Sequence, residues 1–142
     1  MVYGHGGGFD ITTDAPNNII ASKGVLYDEL DNHRGMSMYE LNDGLASSGT
    51  HFGCLFFHNC LLGNIENLTE VQQYADYLIS SEHNLFSDGV HIVKLVEGLK
   101  DYPNLEEALG QYFTRLKPVA DEINTQANQN IDLNCIRSAT SC

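Results

Sequence analysis

Residues 52 to 57, Phe-Gly-Cys-Leu-Phe-Phe, form a continuous apolar run without polar alternation. A strand that is apolar on both faces has to be covered on both, which is the situation of a parallel strand inside a layered α/β sheet. Such a strand needs a parallel neighbour, and Met1-Val2-Tyr3 is the obvious candidate. The two runs end in chemistry-bearing residues: the first leads into Gly4-His5-Gly6-Gly7-Gly8-Phe9, the second into His58-Asn59-Cys60. In open α/β sheets the working residues gather beyond the carboxyl ends of the strands. If the two strands are parallel and adjacent or next but one, His5 and Cys60 emerge on the same edge of the sheet. A histidine and a cysteine so placed are the two halves of a thiol-nucleophile site. The thiolate attacks a carbonyl, and the imidazole takes the thiol proton and later protonates the leaving amine. The amides of Gly6 and Cys60 are candidates for an oxyanion hole, because a glycine backbone can approach the scissile carbonyl closely.

Further elements alternate in the same manner. Ser37 and Glu40 form a Ser-x-x-Glu capping box opening a helix with Met38, Leu41 and Leu45 on its apolar face, and Gly49 ends it. A helix is predicted around Leu68 to Tyr74, then a strand at Tyr77 to Ile79. The spacing of Ile92, Leu95, Val96 and Leu99 predicts another helix within residues 89 to 102. The last begins near Asn104 with Leu105, Leu109, Tyr112, Phe113 and Leu116 on one face, and Pro118 is expected to interrupt or kink it. Residues 10 to 35 read as a long loop holding one short strand at Gly24 to Tyr27. The tail, 131 to 142, opens a further strand at Ile131 to Ile136 and stops as though truncated. The expectation is one α/β domain over residues 1 to 142, and a partial one, since Met1 to Tyr3 already read as the end of a buried strand.

Composition excludes several functions. Seven basic and nineteen acidic residues give a net charge of −12, which argues against nucleic-acid or anionic-membrane partners because both need a basic face. No window approaches the ~18 apolar residues of a membrane span, and no charged segment followed by an apolar one opens the chain. Cys54, Cys60, Cys135 and Cys142 show neither a CxxC pair nor zinc spacing, and His33, His51, His83 and His91 share no ligand spacing. No metal site, cofactor or disulfide framework is expected. Asp10, Asp14, Asp28, Glu29 and Asp31 offer oxygen ligands for calcium as the single alternative, without the spacing of an EF-hand. Cys54 reads as a small apolar core residue.

Taken together, the segments Tyr3 to Phe9, Ser22 to Glu29, Met38 to Leu41, Phe57 to Glu66 and Ser80 to Gly89 resemble, in order and separation, the catalytic core of the clostripain-like cysteine peptidases, relatives of caspases, gingipains and legumain. The resemblance covers about residues 1 to 115. It implies a caspase-like three-layer sandwich with a mostly parallel central sheet, lacking its N-terminal strands in this chain. It implies an endopeptidase acting on peptide or protein substrates, with His5 as general base and Cys60 as nucleophile. Location would be secreted or periplasmic, and Lys23 and Arg34 would be candidate points of self-processing. The family's preference for arginine or lysine before the cut rests on acidic residues, one of which aligns with Asp88. The other lies two residues before the nucleophile, where this chain has His58. An aspartate there would give a charge-assisted bond to a guanidinium, whereas histidine gives a neutral acceptor or a repelling cation. His58 and Asp88 are thus the candidate substrate-binding residues, and the residue preference stays open.

Two other readings compete. The His-Gly-Gly-Gly motif also resembles the oxyanion loop of α/β-hydrolase esterases, but no Gly-x-Ser-x-Gly elbow follows. A catalytically silent binding domain of the same fold is the second alternative, favoured by the altered pocket and opposed by retention of both His5 and Cys60.

Overall fold

The strand inferred from the apolar run is the centre of the sheet. A computed structural model describes residues 1–4, 6, 24–28, 34–85, 92–127 and 132–138. Two compact units are formed: Met1–Asn84 with Leu133–Cys142, and Leu85–Asp132. In the first, a four-stranded sheet has the order β1-β4-β5-β6, where β1 is Val2–Tyr3, β4 Phe52–His58, β5 Ala75–Ser80 and β6 Asn134–Arg137. The first three strands are parallel and β6 is antiparallel. The fold is therefore mixed α/β with a mostly parallel central sheet.

The crossovers explain which face is covered. β1 to β4 passes through α1 (Met38–Ser48), and β4 to β5 through α2 (Ile65–Val71) and a 3-10 turn at Gln72–Tyr74. Both crossovers step the same way across the sheet, and right-handed connections then place both helices on one face. Leu55 and Phe57 of β4 and Leu78 of β5 point to that face, where they form the core with Leu62, Leu68, Val71, Ala75 and Val25. Met38, Leu41 and Leu45 of α1 pack against the same cluster. Each fully buried side chain of this size contributes ~1.5–3 kcal/mol, so this cluster outweighs any surface ion pair in holding the unit together.

Local signals in the sequence act as anticipated at the ends of α1. Ser37 Oγ accepts from the Glu40 amide at 3.2 Å, and Glu40 Oε2 accepts from the Ser37 amide at 2.7 Å. Gly49 closes the helix at φ 61°, with its N–H donating to Ala46 O. The strand at Gly24 has a partner that the composition of the loop concealed. β2 (Gly24–Asp28) pairs antiparallel with β3 (Arg34–Ser37), and Val25 in β2 is buried in the core. Arg34 thus opens a paired strand, while Lys23 and the carboxylates Asp10, Asp14, Glu29 and Asp31 lie outside the described residues.

The tail is tied down. β6 pairs with β5, and the next residue, Ser138, donates from its amide to Asp76 O at 2.8 Å and from its hydroxyl to Gln72 O at 2.7 Å. β1 is an edge strand among the described residues, and Tyr3 is 61% exposed rather than buried.

In the second unit, α3 (Ile92–Asp101) and α4 (Leu105–Ala127) follow each other through a short link. Asn104 caps α4, accepting from the Glu107 amide at 2.8 Å. Leu109, Tyr112 and Leu116 are buried as their spacing requires, but of the stripe on α3 Leu95 is buried while Val96 and Leu99 are 47% and 45% exposed. α4 also continues through Pro118, contrary to an interruption there. A proline removes a single helical N–H, and the buried stripe before it keeps the helix in register.

Replacing Ser37 by alanine removes the cap acceptor at the start of α1. A loss of about 1 kcal/mol in unfolding free energy is expected, measured by urea denaturation.

Candidate active site

The register of β1 and β4 brings the two motifs together. Val2 pairs with Phe57 and Tyr3 with His58, in parallel, so both strands end at the same edge of the sheet. The strands are adjacent, one of the two arrangements that the sequence required. Beyond them, Gly6 lies against the Cys60 backbone: a Cβ built there would collide with the Cys60 carbonyl oxygen and sit 3.1 Å from the Cys60 nitrogen and 3.0 Å from Asn59 Cβ. No residue but glycine fits without moving that backbone. His5, its neighbour in sequence, and Asp88 lie outside the described residues.

Asn59, between His58 and Cys60, was missed by sequence reasoning. Its side chain is only 1% exposed. Nδ2 donates to Gly4 O at 3.1 Å and to Val25 O at 2.7 Å. Three segments far apart in sequence therefore meet at one carboxamide. Buried polar side chains of this kind are retained only when hydrogen-bonded, and an asparagine in a predicted buried strand end is the signal that could have found it.

After Cys60 the chain makes a tight turn before α2. Leu61 adopts φ 61°, a conformation uncommon for a non-glycine residue. Backbone bonds hold it: Leu61 N–H donates to His83 O at 3.1 Å, Gly63 N–H to Ser81 O at 2.7 Å. Asn64 Nδ2 donates to Leu61 O at 3.0 Å, and Asn64 Oδ1 accepts from the Asn67 amide at 2.9 Å to cap α2. A side chain at position 63 would meet the Ser81 carbonyl carbon at 2.7 Å and the Glu82 nitrogen at 2.8 Å. The thiol-bearing turn is thus fastened to the segment that follows β5.

His58 stacks on Tyr3, with ring centroids 4.9 Å apart and planes 19° from parallel, and meets Phe56 edge-on at 6.1 Å. Its Nε2 is buried and makes no hydrogen bond among the described residues. Burial lowers its pKa from the ordinary 6.5, so the ring is neutral at physiological pH. Burial also acts on two thiols: it pushes Cys54 up to about 12, with nearby Cys135 adding to the shift, and it raises Cys135. Cys54 lies in β4 but is only partly buried, outside the core cluster that its place in the apolar run predicted. No group of three or more metal-ligating side chains occurs among the described residues.

The profile of the Clostripain family matches residues 1–139. The chain belongs to the Clostripain family. Two solved structures show its fold. A secreted C11 cysteine protease from Bacteroides thetaiotaomicron, in complex with an irreversible peptide inhibitor, superposes with a TM-score of 0.69 at 19% identity, covering 96% of this chain and 38% of that one. A B. fragilis cysteine protease gives 0.58 at 15% identity, covering 77% of this chain and 46% of that one. The clostripain-family chain thus spans less than half the length of either, and has the caspase-like α/β fold that its motifs resembled. No match was found among curated proteins.

Two outcomes check this geometry. Gly63→Ala forces backbone against backbone and should lower stability by ~1–3 kcal/mol in urea denaturation. For His58, the unfolded chain binds a proton below about pH 6.5 while the folded chain resists it, so stability is fully present above that pH and falls as pH drops toward the lowered folded value. Comparing urea midpoints at pH 8 and pH 5.5, His58→Phe should show less acid-side loss than the parent.

Proposed function

We propose that this chain carries the catalytic centre of a cysteine endopeptidase, with Cys60 as nucleophile and His5 as general base. The observation that carries the reading is the seating of Gly6 against the Cys60 backbone, which ties the histidine motif to the cysteine motif through the parallel β1–β4 register.

His5 takes the Cys60 proton, and the thiolate attacks the carbonyl carbon of the scissile peptide. The developing oxyanion is stabilised by the amides of Gly6 and Cys60, which need no reorganisation because both backbones are already fixed. Collapse breaks the C–N bond, and the histidinium gives its proton to the leaving amine. His5 then deprotonates a water that hydrolyses the thioester and restores the thiol. Strict complementarity to a basic side chain is weakened by His58, but a neutral, stacked His58 does not repel a cation. Asp88 is the remaining acid for a lysine or arginine before the cut. The secreted relative supports export of this protein also, and no helix among the described residues is long and apolar enough to cross a membrane.

Peptide reporters carrying Arg, Lys, Gln, Asp or Ala before the scissile bond test the reading. Turnover should favour Arg and Lys and vanish in Cys60→Ala and His5→Ala. Asp88→Asn should lower kcat/KM on the basic reporters roughly 10- to 100-fold, the worth of one hydrogen bond to a charged group. A protein that cleaves none of them and whose Cys60 resists an electrophilic thiol probe would be an inert domain of this fold instead.

A further inference from the structure

We propose that Asn59 is a positioning residue that sets the separation of general base and nucleophile, an inference that rests on the peptidase reading above. The buried carboxamide sits one residue before Cys60 and donates to Gly4 O, one residue before His5. A single side chain therefore bonds the two strand ends immediately upstream of both reacting residues. Its second donor goes to Val25 O at 2.7 Å, which ties the β2–β3 hairpin to the same point.

β1 is only two residues long and contributes a short ladder to β4. Among the described residues the β1 ladder stops at Tyr3, short of the reacting residues, whose heavy atoms proton transfer requires about 2.6–3.2 Å apart. Asn59 supplies a hold beyond the ladder, and Gly6 packs against Asn59 Cβ and the Cys60 backbone on the far side of the histidine. Position 5 is thus flanked in sequence by two residues that both rest on the Asn59–Cys60 segment. The donor end of the carboxamide does the bonding, since Oδ1 accepts nothing from the described residues. An aspartate at this position keeps the volume and loses both donors.

The test compares parent, Asn59→Ala and Asn59→Asp with three readouts: kcat and KM per titratable thiol, the pH dependence of iodoacetamide labelling at Cys60, and hydrogen exchange in the peptide covering residues 1 to 9. Misplacement by about 1 Å costs on the order of 100-fold in rate. Both variants should lose about that much in kcat with KM within roughly threefold. Their labelling profiles should approach that of His5→Ala, and residues 1 to 9 should exchange faster while α4 does not. A purely structural asparagine would lower the melting temperature and leave kcat per thiol and the labelling profile unchanged, which would overturn the proposal. So would an Asn59→Asp variant with near-parental kcat, because shape alone would then suffice. If the parent itself neither turns over nor labels at Cys60, the peptidase reading is what fails. Unchanged exchange in residues 1 to 9 of the variants would then overturn the hold assigned to Asn59, and faster exchange would support it.

Discussion

The parallel pairing of Val2–Tyr3 with Phe57–His58 is the contact on which the rest of the site depends. It is short, and a two-residue ladder holds little by itself. Reinforcement comes from three directions. Tyr3 stacks on His58 across the pair, Asn59 bonds the strand end beyond it, and Val25 delivers the hairpin into the core beside Phe57. Each acts near the same edge of the sheet, where the candidate site lies. The opposite end of β4 is less guarded, with Phe52 only partly buried and a half-exposed His51–Asp76 pair at 3.0 Å, an interaction of a kind that contributes little in water.

Ionisation is distributed in a consistent way. The chain carries nineteen acidic residues, yet no Asp or Glu is buried among the described residues. Within the sheet, burial disfavours the charged forms of Cys54 and His58, while Asp76 and Arg137 occupy positions that reach solvent. Charge inside a low-dielectric sheet is expensive without a partner, so the buried strand positions hold uncharged side chains and Asp76 and Arg137 stand at positions open to water.

Much of the architecture was legible because it follows from periodicity and end signals. The unbroken run at 52–57 became the central strand, Ser37 with Glu40 became a capping box, and Ile131 to Ile136 anticipated β6 at Asn134–Arg137. The adjacency of the two strand-end motifs followed from the same logic. What was hidden depends on contacts between distant segments. β3 contains Arg and Gly with a single large apolar residue, Met36, and has no strand signature, because its formation depends on β2 beside it. The contacts of Asn59 and Gly63 are with carbonyls 34 and 55 positions away and with the backbone after β5; a polar residue at a buried strand end flags Asn59, but its partners are not encoded locally. Pro118 and the half-exposed face of α3 show the opposite failing, where a local rule was applied to helices whose neighbours determine the outcome.

The turn that bears Cys60 is suspended from β5's far end by main-chain atoms, through Leu61 to His83 and Gly63 to Ser81. Bonds of that kind are indifferent to the side chains at either end. Mutation at the solvent-facing His83 can therefore leave the path of the chain in place, whereas Leu62 is held by the core, Ser81 by its own bonds to the His83 backbone, and Gly63 by the backbone it touches. A scaffold wired in this fashion leaves a faint trace in its alphabet and a strong one in its shape, which is how a chain can share a fold at 19% identity.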